Sequence, residues 1–287
     1  MNNLKFVQGY KAEEPHGKSL TGLANQIFGI NLNKWDNRYI PFSYVDGEAV
    51  AANVSINLLD LIIQGERRSA LQVGTVMTHP DYRKRGLSAR LMNRVLDEYG
   101  DKCDYIYLFA NRNVLDFYPR FGFEPVEEHQ FTLDYSAGPK KGNGIRKLDM
   151  NNSEHVRLLT HFTSERIPVS RRFGTERAHG ILMFYCRNIF NNDIYYLEQE
   201  EIMAIFQRRE GQIDLYDLIG RREINLEAIL AQISDEDTQE IVFHYTPDDQ
   251  GMGITSRLFN GDEVLFVKAN GNNRWPENCK HPLTSQA

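Results

Sequence analysis

"ALQVGTVMTHPDYRKRGLSARLMNRVLDEYG", Ala70 to Gly100, holds a strand, a turn and a helix with nothing separating them. The run Ala70–Thr78 is rich in β-branched and apolar residues, and Gly74 inside it signals a bulge or the close approach of another backbone. After Gly86, Leu87, Leu91, Val95 and Leu96 recur at helical spacing with Met92 beside them, which predicts an amphipathic helix ending near Gly100. The turn between them carries Arg83, Lys84 and Arg85 at a helix start. That end of a helix already bears partial positive charge, so the added cations imply an anion bound there. Backbone N–H groups left unpaired in the first turn, together with a glycine that lets a ligand oxygen approach, suit a phosphate or pyrophosphate.

Working outward, Asp46-Gly47 sits between two arms rich in strand formers, which predicts a β-hairpin whose second arm runs to about Ile63. The Ala70–Thr78 strand then completes a three-stranded meander. "DYIYLFA" (Asp104–Ala110) reads as a buried strand, "NVLDFYPRFGF" (Asn113–Phe123) as a short helix halted by Pro119 and Gly122, and "EEHQFTLDY" (Glu127–Tyr135) as the strand closing the sheet. "SAGPKKGNGIRK" has no periodicity, so residues 136–148 are expected to be a linker between a unit at 1–135 and a second at 149–287. The second half repeats the order of three strands, a helix and a strand, and Asn260-Gly261 lies between two further strand-forming arms.

Composition bounds the function. The chain has 287 residues, 41% of them hydrophobic and 25% charged, with a formal net charge of -6. An acidic chain lacks the basic face that phosphate backbones require, so nucleic acid is not expected as a partner. Cys103, Cys186 and Cys279 are too scattered for a disulfide framework or a zinc site, and no metal is expected. No stretch reaches the roughly 18 apolar residues of a membrane helix, and the first 18 residues lack a signal-peptide core, so a cytoplasmic protein without membrane contact is expected.

Arg83-x-x-Gly86-x-Ser88 resembles the coenzyme A loop of the GCN5-related N-acetyltransferase (GNAT) superfamily, Arg/Gln-x-x-Gly-x-Gly/Ala, with Ser88 as a small-residue variant. "NVLDFYPRFGF" is similar to the family's later helix and aromatic cluster. The resemblance implies an α+β fold: a mixed, mostly antiparallel sheet flanked by helices, followed by a second, degenerate GNAT-like domain that walls the acceptor cleft. It implies acetyl-CoA as acyl donor, held by the strand segment Val76, Met77 and Thr78, by Arg83 and Arg85, by the loop amides of Arg85, Gly86, Leu87 and Ser88, and by Asn113. It assigns Tyr118 the role of acid for the leaving thiolate.

A protonated amine must lose its proton before attacking a thioester, yet "ALQVGTVMT" contains no carboxylate. Glu66, His79, a relayed water, a group from the second half and the carboxylate of Ala287 are the candidates for the base. The acidic overall charge leads to the expectation of a cationic primary amine, on a small molecule or peptide, as acceptor. A catalytically silent acyl-CoA-binding sensor is the alternative, a third reading keeps the chemistry but acetylates an amino acid or a peptide N-terminus, and exposed strand edges could support a homodimer.

Overall fold

The structure, a computed structural model, describes residues 4–32, 34–136, 144–248 and 251–287. The expected linker falls partly outside these, at residues 137–143, while Ile145–Lys147 of the same stretch pairs into a sheet.

The first sheet begins with β1 (Lys5–Gln8), is interrupted by α1 (Pro15–Phe28), and continues as a meander of β2 (Tyr39–Asp46), β3 (Ala49–Ile63) and β4 (Glu66–Thr78). Gly47 takes φ 61° at the β2–β3 turn, the left-handed conformation that glycine adopts without steric cost. The next crossover is α2 (Leu87–Tyr99), which returns the chain to β5 (Tyr105–Asn111), parallel to β4. Leu87, Leu91, Met92 and Val95 are buried along one face of α2, against Leu71 and Val73 of β4 and Ile106 and Leu108 of β5. Each such side chain contributes about 1.5–3 kcal/mol by leaving water, which fixes the helix on the sheet. The expected helix after Asn113 is instead two 3-10 turns, Arg112–Val114 and Tyr118–Phe121, because Pro119 and a left-handed Gly122 (φ 80°) leave no room for an α-helical ladder.

The remaining strands are β6 (Glu124–Val126), β7 (Glu128–Asp134), β8 (Ile145–Lys147), β9 (Phe173–Glu176), β10 (Ile194–Leu197), β11 (Ile202–Arg209), β12 (Gln212–Ile219), β13 (Glu240–Phe243), β14 (Thr255–Phe259) and β15 (Glu263–Ala269). The helices among them are α3 (Ser153–Glu165), α4 (His179–Asn188) and α5 (Leu226–Ile233). They complete two mostly antiparallel sheets, ordered β1-β2-β3-β4-β5-β15-β6 and β8-β10-β11-β12-β13-β7-β14. Each sheet runs from a meander through a helical crossover to a parallel strand, so the repeated order read from the second half is a real one.

The halves are not closed units, however. The strand expected to close the first sheet, β7, pairs with β13 and β14 of the second sheet, and its vacated place between β5 and β6 is filled by β15 from the C-terminal end. The Asn260-Gly261 hairpin is likewise not formed. Neither residue takes the positive φ that its turn type requires, and β14 and β15 run into different sheets. Seven register pairs with β5 outweigh a short local hairpin for β15. The division at residue 135 is therefore one of sequence and not of sheets. Among the described residues, no helix is long and apolar enough to cross a membrane.

Beyond β15 the chain passes between the two sheets. The imidazole Nε2 of His281 lies 2.9 Å from the Tyr107 hydroxyl, the Gln72 amide donates to the Ser285 carbonyl at 2.8 Å, and Ala287 N–H donates to Gln72 Oε1. The backbone of Ala287 rests on Gly74, where a Cβ would stand 3.0 Å from its carbonyl carbon. The glycine signal in β4 is thus explained twice, since the β3–β4 register also shifts opposite this point, between Asn53 and Ser55.

Gly74→Val should cost about 1–3 kcal/mol through this overpacking, read as a lower Tm, whereas Gly22→Val on α1, where a Cβ has open space, should lack that backbone clash. His281 is fully buried, and desolvation lowers its pKa to about 3. The unfolded chain therefore takes up a proton near pH 6.5 that the folded chain refuses. Stability should fall as pH drops from about 6.5 towards 3, and His281→Gln should flatten that slope in urea titrations at pH 7, 6 and 5.

Candidate active site

Strand β4 pairs with β5 only from Ala70–Val73 against Tyr105–Leu108, although β4 runs on to Thr78 and β5 to Asn111. The two strands part at that point. On one side of the gap lies a groove of about 360 Å³ lined by Val76, Met77, Thr78, Ser88, Asn113 and Tyr118. Six residues singled out from sequence thus meet in one groove. Met77 buries its side chain against Leu20 and Leu23 of α1, while Ser88 Oγ lies 2.7 Å from Thr78 Oγ1 and ties the first turn of α2 to the end of β4.

The loop closes one end of this region. Gly86 is the N-cap of α2 at φ 68°, and a Cβ there would meet nothing within 4 Å, so the backbone faces open space. The Leu87 side chain is core, leaving its amide as the only part that can face a ligand. Arg83 is exposed, with Nε 3.4 Å from the Thr78 carbonyl. Arg85 folds back, donating to the Asp81 carbonyl at 2.8 Å with its guanidinium 5.0 Å from the Tyr82 ring centroid. His79 caps the 3-10 turn at Pro80–Tyr82 by accepting from Asp81 N–H.

Tyr118 is 5% exposed and packs in an aromatic cluster with Phe117, Phe123 and Phe266. Desolvation, then the nearby carboxylate of Glu263, pushes its pKa up to about 12. The phenol therefore stays protonated at neutral pH and is available as a donor.

On the other side of the gap is a second cavity of about 210 Å³. Its floor is β3 and the β4 bulge (Asn57, Leu59, Thr75), and its walls include Trp35 and Tyr39 before and on β2, Phe184 and Tyr185 on α4, and Ala287. Thr75 faces this cavity and Val76, its neighbour, faces the groove. Thr75 has φ 51°, a conformation that costs a β-branched residue about 1–3 kcal/mol. A buried hydrogen-bond chain holds it there. Tyr10 Oη is 2.7 Å from Ser43 Oγ, which donates to Asn53 Oδ1 at 2.8 Å, and Asn53 Nδ2 donates to Ser55 Oγ and to the Thr75 carbonyl at 2.8 and 2.9 Å. Ser55 donates to Tyr39 Oη at 2.7 Å, and Tyr39 donates to Thr75 Oγ1 at 3.1 Å.

This second cavity was not legible in the sequence. Its residues come from segments near 35, 57, 75, 181 and 287, and only "KWDNRY", an aromatic pair among charges just before a strand, hints at a surface built for contact. Of the candidate bases, Glu66 sits at the far end of β4, whereas Glu263 of the exchanged strand β15 lines the cavity. No group of three or more metal-ligating side chains occurs among the described residues.

Residues 33–126 match the acetyltransferase (GNAT) domain family. The chain is similar in structure to a conserved protein of unknown function from Enterococcus faecalis V583, with TM-score 0.60 at 14% identity over 92% of this chain and 72% of that one. It is similar to Eis1 of Mycobacterium abscessus, with TM-score 0.56 at 14% identity over 92% and 73% of the two chains. A GCN5-related N-acetyltransferase from Kribbella flavida gives TM-score 0.55 at 15% identity over 93% and 71%. No curated protein matches. The matched span runs from the stretch before β2 to the end of β6 and contains the loop, the groove and Tyr118. Residues 33–126 are a GNAT acetyltransferase domain, set in a two-sheet α+β chain with the fold of GNAT acetyltransferases.

Proposed function

We propose that the protein is an N-acyltransferase that moves an acetyl group from acetyl-CoA to a primary amine by direct attack within a ternary complex. The observation that carries this reading is the pair of cavities at the β4 bulge, one lined by Thr75 and the other by its neighbour Val76. A donor in the groove and an acceptor in the cavity would meet there. Holding both reactants in this way removes much of the entropic barrier of a bimolecular reaction.

Each residue then has a task. The amides of Gly86, Leu87 and Ser88 and the Arg83 side chain receive the pyrophosphate, and the β4 edge from Val76 to Thr78, no longer paired to β5, receives the pantetheine arm. A β4 amide near Val76 supplies the donor for the oxyanion of the tetrahedral intermediate. The amine nitrogen forms a bond to the thioester carbonyl carbon, and the carbon–sulfur bond breaks. The ammonium proton leaves towards Glu263 or water, and the departing thiolate takes the proton of the Tyr118 hydroxyl. Desolvation, then the carboxylates of Glu128 and Asp262, raises the Glu263 pKa from its ordinary value, which makes it a better proton acceptor than a free glutamate.

The second sheet is read as a degenerate copy without a donor site of its own. Where its loop would fall, Arg221 and Arg222 pair with Glu165 and Glu201 at 3.5 and 3.4 Å, and Asn225 caps α5 by accepting from Ala228 N–H. The cations and an end N–H that would meet a phosphate are thus already engaged.

Calorimetry should show acetyl-CoA binding to the native chain and its loss in Arg83→Ala/Gly86→Glu with circular dichroism unchanged. A native chain that binds no acetyl-CoA would end this reading. Tyr118→Phe should lower kcat about 10²-fold or more while leaving acetyl-CoA affinity within about twofold, read by thiol release with a panel of amines. Binding without turnover for every amine would favour a sensor.

A further inference from the structure

The charges around the 210 Å³ cavity point to what it accepts. Three cations line it, Lys34, Arg38 and Arg177, against two side-chain carboxylates, Asp36 and Glu263. Two of these five are already engaged. Arg177 Nε lies 2.6 Å from Asp60 Oδ2, and the Asp36 carboxylate accepts from Arg38 N–H at 2.8 Å and packs on the first turn of α4, 2.8 Å from where a Gly180 Cβ would stand. The start of a helix is the electropositive end, so it offsets part of the Asp36 charge. Lys34 and the Arg38 guanidinium have no carboxylate within ion-pair distance among the described residues, while Glu263 stands on the strand beyond the gap.

Two buried donors repeat the message. Trp35 Nε1 and Asn57 Nδ2 have no hydrogen-bond partner among the described residues, and both residues line the cavity. Asn57 is 7% exposed. A buried donor without an acceptor costs about 1–3 kcal/mol, so an acceptor that reached either atom would stabilise it. The rest of the lining is mostly apolar and aromatic, with Trp35 and Tyr39 rings 5.1 Å apart and Phe184 and Ile181 on the facing helix, and its polar part is Thr75, Gln286 and the carboxylate-bearing Ala287 beside the β4 bulge. A polycation would meet Lys34 and Arg38 across a partly desolvated space, where like charges repel strongly.

From this juxtaposition we propose that the acceptor is an amine carrying a carboxylate on a large apolar body, an α-amino acid of the phenylalanine or leucine kind. Its carboxylate is held by Arg38, beside Trp35 and Asn57, and its amine is turned towards Glu263 and the β4 bulge. This rests on the acyltransfer reading and narrows it, replacing the cationic acceptor that the net charge of -6 had suggested.

The chain has two tryptophans, and Trp35 lies in the cavity, so binding can be followed by fluorescence excited at 295 nm without turnover. L-Phenylalanine and L-leucine are titrated against 2-phenylethylamine and 3-methylbutylamine, which differ only in lacking the carboxylate, and against spermidine. The native chain should bind each amino acid at least 10-fold more tightly than its matching amine and release thiol from acetyl-CoA with the same preference. Arg38→Ala should erase the difference by weakening the amino acid alone, and Arg38→Lys should keep part of it. Equal or tighter binding of the plain amines or spermidine overturns the proposal, as does absence of any fluorescence change with the amino acids, or an equal loss for both ligands in Arg38→Ala. Acetyl-CoA calorimetry on the same samples separates the two readings. A chain that selects amino acids but binds no acetyl-CoA keeps the acceptor assignment and loses the acyltransfer one, while the reverse pattern does the opposite.

Discussion

Both the groove and the second cavity are built around the place where β4 loses its partner. Buried backbone groups must be satisfied, and past Val73 the β5 strand no longer does so. The chain answers in two ways at once. On one side it leaves Val76–Thr78 lining an open groove, and on the other it presses Gly74 against the backbone of Ala287 and holds Thr75 at positive φ. That conformation survives because Ser43, Asn53 and Ser55, all fully buried, pass hydrogen bonds from Tyr10 to Tyr39 and the bulge. A buried polar network of this kind is tolerable only when complete, and completeness makes it rigid. The strain at Thr75 is therefore maintained by the sheet itself.

The reciprocal exchange of β7 and β15 serves the same point. Had β7 closed the first sheet, the strand beside β5 would begin at Glu128 and the cavity would lack Glu263. Because β15 takes that position, the segment that follows it is delivered between the sheets. Tyr107, Gln72 and Thr175 grip it through His281, Ser285 and Ala287. The second half thus acts on the first by donating a strand and a wall. Its own loop region is closed by ion pairs at Arg221 and Arg222.

How much of this was legible follows from how local each feature is. The loop and the α2 stripe are local features, so periodicity and one glycine placed them, whereas Val76, Met77, Thr78, Asn113 and Tyr118 were implied by the resemblance of two short motifs to the GNAT family; with Ser88 they line one groove. Gly74 was informative for the same reason, because a missing Cβ records a close approach whatever the approaching group is. The strand exchange left no such record. "EEHQFTLDY" and "DEVLFVKA" read identically as strands in either sheet, and Asn260-Gly261 between strand-forming arms says nothing of the pairing of β15 with β5 and β6. α1 also went unread, and with it the floor beneath Met77.

The cavity teaches a further lesson about charge. A net value is a sum over a surface, whereas a ligand responds to the few groups within a Debye length that are not already neutralised. Of the five charged side chains around the cavity, Arg177 is paired with Asp60, and the Asp36 charge is partly offset by the start of α4. What remains is cationic at the β2 end and carboxylate at the β15 end, an axis rather than an excess. A ligand of matching polarity, negative at one end and an amine at the other, would lie along it with its nitrogen towards the gap between β4 and β5. The acidic surface elsewhere does not alter that axis, because screening confines its influence to its own neighbourhood.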